Sequence, residues 1–228
     1  MKERPVIFNG EMVRAILDSR KTQTRRVIAN VSPDNCIPLQ KPTKTKGGIY
    51  THVMDAPGHG LCPFGQLGDR LWVRETWGVV SHDFDENERI IDWVPDRPAT
   101  AIHEMPFGNG YYSGHAIYAA DGEFTWGDDD GHGERSCWKP SIHMPRAACR
   151  ILLEITAVRV ERLNDISEED ARAEGATPSQ HIITPPEALY RVGFSKLWRS
   201  IYGEESWNAN PWVWVIEFRR VGGSDASK

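Results

Sequence analysis

The sequence has no long hydrophobic run, few cysteines and no strong excess of charge of one sign. No stretch approaches the roughly 18–20 apolar residues that cross a bilayer, so we expect no membrane-spanning helix and no membrane partner. The formal net charge is −5 over 228 residues. This balance argues against a protein that coats long duplex DNA, because such binding draws on many Lys and Arg contacts to phosphate. Any nucleic-acid role must be local.

The few cysteines carry no sign of disulfide or metal chemistry. They are Cys36, Cys62, Cys137 and Cys149. They are far apart and follow no apolar signal segment, so a reducing cytoplasm is the expected location. The pairs His59 with Cys62 and His132 with Cys137 lack the tight paired spacing of structural zinc. Residues 128–130 are consecutive aspartates without the alternation of a calcium loop. The sequence therefore predicts no metal site and no cofactor.

Charge is spread unevenly along the chain. Residues 1–30 carry seven Lys or Arg against three acids, whereas residues 83–134 are rich in Asp and Glu. This asymmetry predicts a small basic patch at a cleft, on a protein whose surface is otherwise acidic. The nine Trp residues either fill a core or offer stacking faces for bases. The candidates for stacking are Trp138, Trp207 and Trp212.

The N-terminal half predicts a few elements separated by long loops. A short strand at residues 5–8 precedes an amphipathic helix over residues 10–19, for which Asn9 is the expected cap. Residues 30–68 are rich in Pro, Gly, Lys and Thr and predict loops. A strand is predicted at residues 71–77. Residues 78–137 then predict a loop-rich, partly mobile insertion with one strand, from His115 to Ala119.

The C-terminal half shows clearer periodicity. Two prolines keep residues 138–146 extended, and the alternating residues 150–163 predict strand. Ser167 resembles a capping residue for a short helix that ends near Gly175. A second helix is predicted over residues 187–202. A final strand follows at residues 212–219, and residues 222–228 predict a disordered tail.

Short strands with two or three helices and no strand–helix alternation favour one fold class. We predict a mainly β chain with flanking helices (α+β), built as a small, partly closed β-barrel. Residues 1–221 are predicted to form a single domain that carries the insertion at residues 78–137.

Three segments together resemble the ASCH domain family. They are residues 19–26 (SRKTQTRR), 68–75 (GDRLWVRE) and 210–218 (NPWVWVIEF). With residues 138–146, the pattern is most similar to the longer ASCH proteins carried by bacteriophages and prophages. The resemblance implies a PUA-like barrel with a cleft proposed to bind RNA or modified nucleosides.

The resemblance also implies candidate catalytic residues. Some small ASCH members are similar to amidohydrolases that remove an acetyl group from the exocyclic amine of acetylated cytidine, and others look like ribonucleases. The positions that match the amidohydrolase pattern are Lys21, Thr24 and Glu174. Ser19 stands where that pattern has Gly. Amide hydrolysis needs a nucleophile, a base and a donor for the leaving amine, which these side chains can supply.

Further ligand-binding candidates come from the residues themselves. Period-two alternation puts Trp72 and Arg74 on one face of their strand and Glu75 on the other. Ser141 and His143 are expected to share one side of an extended segment. The full set of predicted ligand-binding residues is Arg20, Arg25, Arg26, Trp72, Arg74, Glu75, Ser141 and His143.

Four functional hypotheses follow from these observations. The first is a nucleic-acid or modified-nucleoside binding module in which Lys21, Arg25 and Arg26 meet phosphate of RNA or single-stranded DNA. The second is an amidohydrolase acting on acetylated cytidine. The third is a ribonuclease with His143 as proton carrier. The fourth is a phage accessory protein that binds another protein through its acidic insertion.

Overall fold

The structure is a computed structural model that describes residues 1–41, 43–126 and 136–222. Strand exceeds helix, so the predicted α+β class is confirmed. The predicted barrel is not found as a closed barrel within these ranges. No helix in the described part of the chain is long and apolar enough to cross a membrane. The predicted tail beyond residue 222 and the insertion residues 127–135 lie outside the described residues.

The elements alternate irregularly along the chain. The strands are β1 (Glu3–Ile7), β2 (Gln23–Val27), β3 (Cys36–Pro38), β4 (Tyr50–His52), β5 (Arg70–Arg74), β6 (Trp77–Val80), β7 (Asp83–Phe84), β8 (Ile90–Ile91), β9 (Thr100–Phe107), β10 (Gly110–Tyr118), β11 (Leu152–Arg162) and β12 (Trp212–Val221). The helices are α1 (Gly10–Leu17), α2 (Glu168–Ala173), α3 (Leu189–Tyr202) and α4 (Glu204–Asn208). The largest sheet has the strand order β1-β5-β11-β12-β2.

The chain divides into two compact units. The first comprises Met1–Arg4, Ala15–Leu71 and Leu153–Lys228, and the second comprises Pro5–Arg14 and Trp72–Leu152. The first unit holds the basic segment and the C-terminal helices. The second holds most of the predicted insertion.

The first unit is built on the antiparallel pair β12–β2. Their register runs from Val213 opposite Val27 to Glu217 opposite Gln23. One hydrophobic cluster packs α2 and α3 against β12. Its buried members are Leu163, Ile166, Ala171, Ala176, Phe194, Trp198, Val213 and Val215. The core therefore fixes α2 and α3 on the sheet that carries the basic segment.

Hydrogen bonds and backbone conformation explain where α2 begins and ends and where α3 begins. The Ser167 side chain accepts a hydrogen bond from the Asp170 backbone N–H at 3.0 Å, as the sequence predicts. Gly175 follows α2 with a φ of 78°, a left-handed conformation that favours glycine. The Glu168 carboxylate then accepts from the backbone N–H groups of Tyr190 at 2.6 Å and Arg191 at 2.9 Å. These bonds tie the start of α3 to α2.

The second unit contains a three-stranded antiparallel sheet that the sequence does not reveal. Its order is β6-β10-β9, so the expectation of one strand in a loop-rich insertion is wrong. The one predicted strand, residues 115–119, falls at the end of β10. Trp77, Tyr118 and Met144 are buried in its core. Glu104 and Pro106 interrupt the apolar pattern of β9, and Gly110 and Gly114 interrupt that of β10. The alternation of apolar and polar residues is therefore hard to recognise in the sequence.

The remaining element predictions vary in outcome. The Asn9 side chain accepts from the Met12 backbone N–H at 2.9 Å, which confirms the predicted cap of α1. The strand predicted at residues 71–77 divides into β5 and the start of β6. The predicted loops at residues 30–68 contain the short pair β3–β4.

Candidate functional site

The basic segment begins with a sharp turn after α1. The backbone N–H groups of Arg20 and Lys21 both donate to the Ala15 carbonyl, at 2.8 and 2.9 Å. The Thr22 N–H then donates to the Ala173 carbonyl at 2.8 Å. Lys21 and Glu174 form an isolated antiparallel bridge. The chain thus leaves the helix and pairs with the end of α2 before it enters β2.

Lys21 and Glu174 form a buried ion pair across this bridge. The Lys21 Nζ donates to Glu174 Oε2 at 2.7 Å and to the Glu174 backbone carbonyl at 2.9 Å. The two residues are only 2% and 4% exposed. Burial lowers the pKa of Lys21 below its usual range; Glu174 opposes this shift, whereas Arg26 and Arg25 add to it. The structure therefore brings two of the predicted catalytic residues into direct contact.

Arg25 joins the same carboxylate from the neighbouring strand. Its guanidinium lies 3.3 Å from Glu174 Oε1, 2.9 Å from Glu161 Oε2 and 3.2 Å from Asp170 Oδ2. Arg25 is 2% exposed and its guanidinium lies 6.0 Å from the Phe194 ring centroid. Lys21 and Arg25, which were expected to meet phosphate, are therefore both buried and paired with carboxylates.

Arg159 extends the buried charges into a network. It donates to Asp170 Oδ1 at 2.9 Å and to Glu161 Oε1 at 2.5 Å, and it also pairs with Glu217. Burial raises the pKa of Asp170, but Arg25 and Arg159 together lower this pKa by more, so the net shift is downward. Asp170 is therefore held as a carboxylate.

Thr24 lies in the middle of β2, opposite Ile216, and is 3% exposed. Strand alternation puts the Thr24 side chain on the same face as Arg26 and on the opposite face from Arg25. Lys21 and Arg25 both contact the Glu174 carboxylate.

The other cations of the segment are more accessible. Arg20 pairs with Asp18 at 3.0 Å, and the two side chains are 51% and 59% exposed. Arg26 is half-buried, with its guanidinium 3.5 Å from the Tyr202 hydroxyl. Arg20 is therefore the most exposed of the predicted basic ligands.

A cavity of about 740 Å³ lies beside the bridge in the first unit. Arg20, Thr22, Arg172, Gly175, Pro178 and Tyr190 contribute to its wall. The bridge residues themselves do not line it. The cavity is therefore bordered by the neighbours of Lys21 and Glu174 rather than by the pair.

The predicted ligand-binding residues near β5 lie in the second unit. The Arg74 guanidinium lies 5.4 Å from the Trp72 ring centroid, which confirms that these side chains share a face. Glu75 faces the other way, is 1% exposed and binds Arg150 through two hydrogen bonds of 2.9 Å. Burial raises the pKa of Glu75, although Arg150 opposes the shift. Glu75 is thus engaged in an internal ion pair.

Ser141 and His143 do not lie in an extended segment. They form a 3-10 turn, Ser141–His143, which is closed by a hydrogen bond from the Met144 N–H to the Ser141 carbonyl at 3.0 Å. Arg74 donates to the Ile142 carbonyl within this turn. The prediction of a shared side is wrong, because residues two apart in a 3-10 helix point in different directions.

The Trp candidates for stacking are already in contact with other groups. Arg162 lies 4.2 Å from the Trp212 ring centroid, and Trp207 packs against the core of the first unit. The Trp138 ring meets Trp126 edge-on at 5.2 Å. All three Trp residues are half-buried.

The described part of the chain contains no cluster of three or more His, Cys, Asp or Glu side chains that would hold a metal ion. His132 and the aspartates of residues 128–130 fall outside the described residues.

Several residues of the charge networks were not predicted from the sequence. They are Glu161, Asp170, Arg159 and Glu217 around Arg25, and Arg150 and Asp121 around Glu75. Arg159 and Glu161 are two apart in β11, so their shared face is readable from strand alternation. Their partners come from distant parts of the chain, which no local pattern identifies.

Comparison with protein-family models, with curated proteins and with solved structures returns no match to this chain.

Proposed function

We propose that this chain is an ASCH-type, PUA-like amidohydrolase that removes an acyl group from the exocyclic amine of an acylated cytidine-type nucleoside. The observation that carries the proposal is the buried ion pair between Lys21 and Glu174, with 2.7 Å between Nζ and Oε2. It joins residues 153 positions apart that match the amidohydrolase pattern. Ser19 gives further support, because its φ of 59° is one that favours the Gly of that pattern.

Lys21 is suited to act as the base. A lysine accepts a proton near neutral pH only when its pKa falls, and burial lowers the pKa of this amine. Glu174 holds the amine in one position by a short charge-assisted hydrogen bond. A buried ion pair costs more in desolvation than a surface pair, which favours a chemical role for it.

Thr24 is proposed as the nucleophile. Its hydroxyl oxygen attacks the acyl carbonyl carbon while its proton passes to the Lys21 amine. The C–N bond then breaks, and the exocyclic nitrogen leaves with a proton from the Lys21 ammonium. Water hydrolyses the resulting threonyl ester by the same proton route, which releases the carboxylic acid and restores both side chains.

The burial of the cations favours this enzyme over the nucleic-acid-binding module. Cations that bind nucleic-acid phosphates must be exposed to solvent, so that phosphate oxygens can replace the water around them. Lys21 and Arg25 are 2% exposed and already paired with carboxylates. Two of the cations expected to meet phosphate are therefore committed to internal contacts.

The test is acetate release from N4-acetylcytidine by the purified full chain. We expect turnover by the wild type, loss of at least about a hundredfold in Lys21→Met and in Thr24→Val, and partial retention in Thr24→Ser, which keeps a hydroxyl. Thr22→Val is the matched control, because Thr22 is exposed and lies two residues away on the same segment.

Folding of each variant is checked by far-UV circular dichroism, so that inactivity of an unfolded chain is recognised. Absence of acetate release from any acylated cytidine by the folded wild type would remove the proposal. Equal activity of Thr24→Val and wild type would remove Thr24 as nucleophile.

A further inference from the structure

A cavity of about 740 Å³ is lined by residues that adjoin the Lys21–Glu174 bridge in sequence. They are Arg20 and Thr22 beside Lys21, and Ala173 and Gly175 beside Glu174. Lys21, Thr24 and Glu174 themselves do not line this cavity. The cavity is therefore distinct from the residues proposed for hydrolysis.

Two guanidinium groups border the cavity. Arg20 forms an exposed ion pair with Asp18, which costs little to exchange for another anion. Arg172 comes from the last turn of α2 and is exposed. Glu169 is the remaining charged residue of the wall, so the lining keeps one net positive charge. Arginine is the side chain best matched to phosphate oxygens, which it binds with two parallel N–H groups.

The rest of the lining includes apolar and aromatic residues. They are the Tyr190 ring, Ala176 and Pro178. The Arg172 guanidinium lies 4.6 Å from the Tyr190 ring centroid, so a cation and an aromatic ring are neighbours in the cavity. A ligand that contacts both kinds of residue needs a flat ring system and an anionic group. The volume falls within the range of about 300–1,000 Å³ that small-molecule sites occupy.

The walls are held in place before any ligand arrives. The Glu168 carboxylate fixes the backbone of Tyr190 at 2.6 Å. Gly193 lies so close to the Thr177 carbonyl that an added Cβ would come within 1.9 Å of its oxygen. At Gly175, an added Cβ would come within 3.0 Å of the Lys21 Cβ. A preformed site avoids the ordering cost that weakens binding to flexible surfaces.

From this combination we infer that the cavity binds a nucleoside monophosphate, with the phosphate between Arg20 and Arg172 and the base against Tyr190 and Pro178. The inference does not depend on the proposed hydrolysis, because none of the residues proposed for hydrolysis lines the cavity. It gives the chain a second ligand site of its own.

The test is isothermal titration of the full chain with adenosine 5′-monophosphate, with adenosine and with inorganic phosphate. We expect the monophosphate to bind, and the two fragments to bind at least about tenfold more weakly. Arg20→Ala and Arg172→Ala are each expected to weaken monophosphate binding roughly tenfold. Affinity should also fall as salt is raised.

Two control variants make the result specific. Arg219→Ala removes an exposed arginine that is likewise paired with an acid, Glu154, and should leave the affinity unchanged. Thr24→Val removes the proposed nucleophile, which does not line the cavity, and should also leave the affinity unchanged. Failure of acetate release with intact monophosphate binding would overturn the proposed function alone.

Three outcomes would overturn the inference. One is the absence of any binding heat when the chain is titrated with each of the four ribonucleoside monophosphates. The second is equal affinity for inorganic phosphate, which would reduce the cavity to an anion site. The third is a loss of affinity in Thr24→Val, which would assign the monophosphate to the residues proposed for hydrolysis.

Discussion

At the scale of single residues, the charge of a side chain is a poor guide to its exposure in this chain. Lys21 and Arg25 belong to a run of basic residues, which in most proteins lies in solvent. Here each meets carboxylates contributed by residues more than a hundred positions away. The run is therefore divided between internal cations and the exposed Arg20.

Replacement of the shared carboxylate should strongly destabilise the fold. In Glu174→Gln, Lys21 loses its counter-charge while it stays buried, so we expect the free energy of unfolding to fall by about 3–5 kcal/mol. The measurement is urea denaturation at neutral pH. Glu187→Gln, at an exposed position, is the control and should change stability little. A loss in Glu174→Gln no larger than in the control would contradict the ion pair.

The lowered pKa of Lys21 predicts a pH dependence. Burial keeps the pKa of the folded amine below its ordinary value of 10.5, so between the two values the unfolded chain binds one proton more. The free energy of unfolding of the wild type should therefore rise with pH, relative to that of Lys21→Met, toward about pH 10. Urea denaturation in steps from about pH 7 measures this difference. A constant difference would show that the amine titrates normally.

At the scale of elements, close approach of backbone sets the position of α3. Gly193 lies in the second turn of this helix, and the Thr177 carbonyl occupies the space that a side chain would need. The loop that follows α2 is thereby pressed against α3. The same contact shapes one wall of the cavity at Pro178.

Gly193→Ala should therefore destabilise the chain although alanine favours helix. The helical preference contributes about 1 kcal/mol in favour of alanine, but an oxygen at 1.9 Å from the added Cβ forces the backbone apart, and we expect a net loss of roughly 1–3 kcal/mol. Thermal unfolding followed by circular dichroism measures it. Gly10→Ala is the control, since its Cβ would meet no atom closer than 3.5 Å. Equal melting temperatures for Gly193→Ala and wild type would show that the loop yields freely.

Elements with strong local signals were predictable, and those defined by distant pairing were not. The caps at Asn9 and Ser167 were read correctly because a side chain bonds a backbone N–H three residues away. The strand β12 was read from its run of apolar residues. In contrast, β9 and β10 depend on each other for pairing. Pro140 and Pro145 suggested an extended segment, yet a 3-10 turn lies between them.

Part of the charge network was named from the sequence, but its arrangement was not. The resemblance to the ASCH pattern named Lys21 and Glu174, and the two residues are in contact. Arg25 was expected from the basic segment to bind phosphate, and it contacts Glu161 and Asp170. Which cation of a basic segment turns inward depends on the acids that the fold brings to it. A local sequence window does not contain that information.

At the scale of the whole molecule, the net charge of −5 opposes broad contact with polyanions. With two cations of the basic segment buried, we expect the chain to bind a generic DNA duplex only weakly, with a dissociation constant above about 10⁻⁴ M at physiological salt. Fluorescence anisotropy of a labelled duplex measures it. Micromolar, steeply salt-dependent binding would instead indicate a cationic surface large enough to displace many counterions.

Adjacent positions at the Lys21–Glu174 bridge have different surroundings. Positions 21 and 174 are buried and neutralise each other's charge, whereas 20, 22, 173 and 175 line the neighbouring cavity. In a deep mutational scan, substitutions at 21 and 174 should therefore reduce stability and the proposed hydrolysis. Substitutions at the four neighbouring positions should instead reduce the proposed nucleotide binding.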